Sequence, residues 1–259
     1  MMHVHYLDVF AIGIIIGFLG GMFGKGGSAI ATPMLSLIGI PGFIAIAAPL
    51  PATIPGTFIA SLQYWKSKLL DWKIVLWSIG IGIPSTILGS YLTEFIGPKP
   101  LLVVTGLLVL GFGFSFLFFP GTSENVQADQ EETRFVHPVR WYLSIVGVAL
   151  FVGLISGLLA NSGGFLLAPS YAKLLKQPIK KAFACSLAVS MFLAIPGTIV
   201  HASLGHIDWI ITGVLALGSV PFSYLGAKVA IHAKANKLER WYGIILSVLG
   251  IFFLTKLFG

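Results

Sequence analysis

Two glycine-rich runs hold the residues of this chain best suited to chemistry. The first is Gly20-Gly21-Met22-Phe23-Gly24-Lys25-Gly26-Gly27-Ser28, and the second is Ser156-Gly157-Leu158-Leu159-Ala160-Asn161-Ser162-Gly163-Gly164. Glycine lets a ligand approach the main chain. A helix that starts just after such a break presents unpaired N–H groups and the positive end of its dipole, which is how helix starts bind anions. The expected ligand set is therefore Gly24, Lys25, Gly26, Gly27 and Ser28 from the first run, with Asn161, Ser162, Gly163 and Gly164 from the second. Lys25 offers a full charge; its repeat partner Asn161, flanked by Ser162, offers neutral hydrogen bonds. A charge at membrane depth costs about 2.5–3.5 kcal/mol even on permissive scales, so an intramembrane lysine points to function by default. The competing reading is that Lys25 snorkels out of a shallower hairpin.

The two runs are copies. Gly17, Gly21, Gly27 and Pro33 recur at one constant offset as Gly153, Gly157, Gly163 and Pro169. Pro41, Asp71-Trp72, Pro84 and Gly89 recur as Pro178, Asp208-Trp209, Pro221 and Gly226, at an offset longer by a single inserted residue. A duplicated, strongly apolar chain is the mark of a transporter built from two halves around a central site. The chain is 56% hydrophobic and 10% charged over 259 residues, against about 25% charged for a soluble domain. Uncharged stretches at 74–93, 101–120 and 182–200 match the roughly 20 apolar residues that cross a bilayer. The class is all-α and polytopic, with the lipid bilayer as its solvent. Residues 7–23 do not read as a signal peptide, because no Lys or Arg precedes them and no small-residue cleavage site ends them. The single Cys185 excludes an internal disulfide and a thiolate metal cluster. The +7 net charge is a topology signal; nucleic acid is not an expected partner.

The elements that position the runs follow from the pattern. Repeat 1, residues 1–120, holds an apolar arm 7–23, a break at 24–27, a short arm 28–38 and helices near 43–63, 73–95 and 101–119. A polar linker covers 121–140. Repeat 2, residues 141–259, holds an arm 141–160, a break 161–163, an arm 164–175 and helices near 180–203, 209–231 and 241–257. An 11-residue arm gives only about 16 Å of helix, too short for a core of about 30 Å. Each opening pair is therefore expected to be a re-entrant, broken helical hairpin, its irregular backbone covered by protein or a polar cavity. Three transmembrane helices per repeat remain, and an odd number inverts the second half. Positive charges agree with two inverted-topology repeats. That scheme puts Lys66, Lys68, Lys73, Arg134, Arg140, Lys173, Lys176, Lys180, Lys181, Lys228, Lys234, Lys237 and Arg240 on the cytoplasmic side. Only Lys99 and Lys256 fall outside, a split of thirteen to two. Both termini are then outside and the linker cytoplasmic.

Other residues are softer candidates. Thr53 and Ser190 are repeat mates that line the path in one reading and bond their own helix backbone in the other. His201 is the proton-coupling candidate, because its charge changes near neutral pH; an interfacial histidine is the alternative. Asp71 and Asp208 read as helix N-caps, and the tryptophans and tyrosines near helix ends as interfacial anchors. Ile54-Pro55-Gly56-Thr57 and Ile195-Pro196-Gly197-Thr198 also match each other, but one turn out of register with the rest, and the sequence offers no reason for it.

The chain resembles the TauE/SafE family of sulfite and organosulfonate exporters. The resemblance rests on the glycine runs 20–27 and 157–164, each followed six residues on by Pro33 or Pro169. It rests also on Leu70-Asp71-Trp72, Gly205-His206-Ile207-Asp208-Trp209, Pro84 to Gly89 and Pro221 to Gly226. It covers residues 7–257. Lys25 interrupts what is more often an all-glycine run, and Asn161-Ser162 stand at small apolar or glycine positions. The resemblance implies outward transport of a small sulfur-containing anion such as sulfite or sulfoacetate across a prokaryotic plasma membrane. The sequence reading is thus a secondary transporter with no cofactor and no metal, working by alternating access, with a passive anion channel and a membrane-embedded enzyme as alternatives. No nucleophile–base pair or two-histidine metal spacing supports an enzyme. The anion, the coupling ion, the direction and whether the chain forms a homo-oligomer stay open.

Overall fold

The computed structural model describes residues 5–24, 28–118 and 139–258. Among them the chain forms eleven helices and no strand. In the first half these are α1 (Tyr6–Phe23), α2 (Ser28–Leu37), α3 (Gly42–Ala47), α4 (Pro49–Lys66), α5 (Trp72–Ile96) and α6 (Pro98–Phe118). In the second they are α7 (Val139–Leu158), α8 (Gly164–Lys173), α9 (Ile179–Ser203), α10 (Trp209–His232) and α11 (Ala235–Phe258). Among the described residues, eight stretches are long and apolar enough to cross a membrane, with α3 and α4 together forming one of them. The ten-residue α2 and α8 are not among them, since each gives only ~15 Å of rise.

Local chemistry sets the ends. Asp71 caps α5 by accepting from the N–H groups of Lys73 and Ile74, and Asp208 caps α10 by accepting from Ile210 and Ile211. These caps satisfy two of the donors that every helix start leaves unpaired. The helix expected near 43–63 is one apolar span, Gly42–Lys66, in which α3 and α4 meet at Ala48. Ala48 keeps helical angles, φ −59° and ψ −33°, and its N–H bonds the Ile44 carbonyl. Only the hydrogen-bond ladder lapses there, because Pro49 and Pro51 have no N–H to give to the carbonyl four residues back.

Glycines then set the helix pairing. A Cβ on Gly13 would meet the backbone of Leu215 and Gly218; on Gly17, that of Ser219 at 2.2 Å; on Gly21, that of Ser223 at 2.1 Å. Positions rise together, so α1 and α10 run parallel in close backbone contact. A Cβ on Gly153 would meet Gly82, and one on Gly157 would lie 2.0 Å from the Thr86 carbonyl, so α5 and α7 pair the same way. Small residues at such interfaces let backbones approach where lipid gives no hydrophobic drive. The most extensive packed pairs are α1 with α10, α5 with α7, α6 with α11, α4 with α10, α9 with α5 and α4 with α9. Exchanging the halves maps that set onto itself.

The displaced Pro-Gly-Thr pair lies at helix contacts. Gly56 of α4 faces the Ser223 side chain of α10, and Gly197 of α9 faces Leu50 of α4 and Thr86 of α5. Ser223 and Thr86 are themselves repeat mates, in the register that relates Asp208 to Asp71. The helices that carry the two glycines keep that common register at both ends, with Pro41 and Tyr64 matching Pro178 and His201, and the turn of displacement has no structural explanation. Helix ends are also tied by an aromatic cluster in which Tyr242 packs on Phe116, Phe23 and Phe183 at ring-centroid distances of 4.7, 5.0 and 5.9 Å. Large apolar side chains such as Leu7, Leu76, Phe95 and Leu217 point outward, as a lipid-facing surface requires.

Candidate functional site

The starts of the two short helices meet. Ser28, the first residue of α2, donates its hydroxyl proton to Asn161 Oδ1 at 2.7 Å. Its oxygen accepts from the Ser162 N–H at 3.2 Å and lies 3.1 Å from Ser162 Oγ. With the Ser28 proton given to Asn161, the Ser162 hydroxyl is the donor of that pair. Asn161 Oδ1 also accepts from the Gly163 N–H at 3.2 Å, which fixes the amide orientation because only an oxygen can take both donors. Ser28, Asn161 and Ser162 are all buried.

Ser186 closes the arrangement from α9. Its hydroxyl reaches the Gly24 carbonyl at 2.6 Å and the Gly164 carbonyl at 2.9 Å, so one proton is shared between the end of α1 and the start of α8. Gly24 has φ +73°, and a Cβ there would stand 2.6 Å from the Phe183 Cα; both conditions call for glycine. At the matching point of the second half, Ala160 takes φ +43°. There Asn161 N–H bonds the Ser156 carbonyl and Ala160 N–H the Gly157 carbonyl, the Schellman ending of a helix. Ser156 Oγ also bonds the Asn161 carbonyl. α8 starts on Gly163 at φ +75°, which makes no side-chain cap bond, and the Gly163 carbonyl takes the N–H groups of Leu166 and Leu167.

Of the expected site residues, the structure brings together Gly24, Ser28, Asn161, Ser162, Gly163 and Gly164. Lys25, Gly26 and Gly27 lie outside the described residues. Thr53 donates to the Leu50 carbonyl of its own helix at 2.9 Å. Ser190 lies one turn beyond Ser186 on α9, buried, with no hydrogen-bond partner for its Oγ. His201 is fully buried near the end of α9. Its Nε2 lies 3.1 Å from the Gly157 carbonyl and its Nδ1 lies 3.2 Å from His206 Nδ1.

Three participants had no place in the site expected from sequence. Ser186 has no usable signal, because its repeat position is Pro49 and no duplication marks it. Tyr64, near the end of α4, is not the interfacial anchor that its position suggests. It is fully buried and donates to the carbonyls of Gly21 and Met22, at 3.2 Å each. It occupies the repeat position of His201, so register could have found it; the difference in residue type hid it. His206 stood within a motif but without a role.

A family profile described as Sulfite exporter TauE/SafE matches residues 9–253. A probable membrane transporter protein of Xylella fastidiosa (strain 9a5c) is 27% identical over 249 residues, covering 94% of this chain and 93% of that protein. One from Bacillus subtilis (strain 168) is 25% identical, covering 88% and 89%. One from Methanocaldococcus jannaschii is 26% identical, covering 94% and 93%. No solved structure matches the chain.

Proposed function

The chain belongs to the sulfite exporter TauE/SafE family and is a membrane transporter; from that premise we propose that it is a secondary transporter of a small sulfur-containing anion such as sulfite or sulfoacetate. The anion is held between the starts of α2 and α8 and exposed alternately to the two sides of a prokaryotic plasma membrane. The observation that carries this reading is the contact of Ser28 with Asn161 and Ser162, which sets two helix starts against each other inside the bundle. Helix N-termini favour anions through directed N–H donors and dipole. Asn161, Ser162, Gly163, Gly164, Gly24 and Ser28 form the cradle. Lys25, with Gly26 and Gly27, supplies the full charge, and the unpartnered Ser190 hydroxyl is an added donor. Thr53 is its counterpart on α4.

The same reading treats the halves, 1–120 and 141–259, as inverted repeats opened by re-entrant hairpins. Its support is directional. The Asp71 N–H bonds Cys185 Sγ at 3.3 Å, so α5 starts beside the first third of α9, whereas α10 starts after the end of α9. The mates α5 and α10 thus begin at opposite ends of one 25-residue helix. α1 runs with α10 and α7 with α5, and each is followed by a helix too short to cross. Exchange of the packed pairs between halves is what a pseudo-twofold transporter needs for rocking about a central site.

Flux into liposomes containing the purified protein tests the function. Radiolabelled sulfite and sulfoacetate should enter saturably and support counterflow, with sulfate and thiosulfate as competitors of the same class. Non-saturating flux without counterflow would make the protein a channel, and chemical change of the anion would make it an enzyme.

A further inference from the structure

Tyr64 and His201 hold the same place in the two halves, and they make the same bond with different chemistry. Tyr64 of α4 donates to the Gly21 carbonyl near the end of α1. His201, its repeat mate on α9, meets the carbonyl of Gly157, the repeat mate of Gly21, near the end of α7. Each opening helix is therefore tied at its glycine run by a donor from its own half. The His201 tie fixes a chain of tautomers. A carbonyl only accepts, so His201 Nε2 carries the proton and neutral His201 leaves Nδ1 bare. His206 Nδ1, 3.2 Å away, must then be the donor, and neutral His206 has a bare Nε2. One proton from water can add at that Nε2 without displacing a bond; a second would put two cations in contact.

The surroundings decide what that proton does. His206 lies between α9 and α10, outside the spans, stacked on Phe43 of α3 with ring centroids 4.2 Å apart. Burial lowers its pKa below the ordinary histidine value, against the pull of Glu94 on α5. Asp208 is committed to capping α10. Lys99 lies at the start of α6, which packs on α3. Arg140 and Tyr142 of α7, and Lys180, Lys181 and Cys185 of α9, lie toward the other ends of their helices. A ligand favours the conformation that binds it better, and a charged imidazole is better accommodated where water reaches it.

We propose that the His201–His206 pair is a proton-binding latch on the second hairpin: neutral, it ties Gly157 to α9, and protonated, it lets the hairpin end go. Half 1 has the tyrosine version, which does not titrate in the physiological range, so a proton acts on one half only. This rests on the transporter reading for its purpose, making the proton the coupled or regulating ion, but not for its chemistry.

Hydrogen–deuterium exchange of the full chain in detergent, corrected for the intrinsic pH dependence of amide exchange, tests it. Between pH 7.5 and 4.5 the segment 155–161 should lose protection several-fold while 19–24 stays constant. His206→Gln, which keeps a donor for His201 but cannot take the proton, should abolish the change. His201→Tyr, which copies half 1, should do the same. A pH-independent 155–161 segment in the parent, or an unchanged response in His206→Gln, would overturn the latch. Sulfite uptake by liposomes measured in parallel separates the two ideas. Absent uptake with pH-sensitive protection supports the latch and sinks sulfite as the substrate; uptake with pH-independent protection supports the substrate and sinks the latch.

Discussion

Ser28 Oγ donates to Asn161 Oδ1 across 133 residues of chain, over 2.7 Å. The bond joins the first residue of α2 to the loop that leads into α8, so the start of each short helix is tied to the other half. It also leaves Asn161 Oδ1 doubly used, by Ser28 and by the Gly163 N–H. Asn161 therefore organises the meeting of the two helix starts.

The charge on Lys25 makes it the strongest expected contributor to anion affinity. Lys25→Ala should weaken sulfite binding more than Asn161→Ala, because a hydrogen bond to a charged group is worth about 1.5–3 kcal/mol against about 1 for a neutral one. Lys25→Arg should rescue only in part, since a planar guanidinium needs more room than an ammonium. Affinity in detergent, with monodisperse elution as the folding control, is the measurement. A well-folded Lys25→Ala protein that binds sulfite like the parent would remove Lys25 from the site.

Ser186 and Ser190, one turn apart on α9, should separate architecture from binding. Ser186→Ala removes the hydroxyl that the Gly24 and Gly164 carbonyls share and should cost about 1–3 kcal/mol of stability, seen as a lower thermal midpoint. Ser190 has no bond to lose, so Ser190→Ala should shift stability by no more than about 0.5 kcal/mol. It should weaken sulfite binding by roughly fivefold, the equivalent of about 1 kcal/mol. Equal stability losses at the two positions would contradict the assignment.

Backbone contact at the glycine stripes can be probed by adding one methyl. Gly17→Ala and Gly157→Ala place a Cβ 2.2 and 2.0 Å from carbonyl oxygens of α10 and α5, and each should cost about 1–3 kcal/mol through forced separation of the helices. Gly80 has nothing within 4 Å of the place a methyl would take, so Gly80→Ala should be neutral or stabilising by up to about 1 kcal/mol. Thermal midpoints of the three variants in one detergent compare them directly.

Ala160 offers a gain. Its φ of +43° carries the left-handed penalty of about 1–2 kcal/mol for an L residue, offset in part by the roughly 0.5–1 kcal/mol of chain entropy that glycine forfeits. Ala160→Gly should raise stability by about 0.5–1 kcal/mol, and a lowered thermal midpoint would mean that the Ala160 methyl packs usefully.

Topology is open to labelling on a Cys185→Ser background. The inverted scheme has His3→Cys reacting with an impermeant reagent from outside and Ala128→Cys reacting only after the membrane is opened. The reverse pattern would discard the scheme.

Sequence by itself determined the helices and where they end. Each of those signals is local: an apolar run, Asp71 or Asp208 at a cap, a proline or glycine at a boundary. It also exposed the duplication, because both copies keep glycines where backbones touch, and it marked Gly24, Ser28 and Asn161 to Gly164 as one candidate site through their matching register. Only the tertiary structure decided what those glycines face, and most of the stripe at Gly13, Gly17, Gly21, Gly153 and Gly157 turns out to serve helix packing. The path through Pro49, Pro51 and Pro55 also needed three dimensions, since prolines permit a kink, a restart or a continuous helix, and Ala48 keeps helical angles. Ser186, which joins the carbonyls of Gly24 and Gly164, left no readable mark, and the register that Tyr64 shares with His201 was hidden by the difference in residue type. Their roles depend on which carbonyl a hydroxyl reaches after the helices pack, a distance of a few ångströms that no spacing along the chain records.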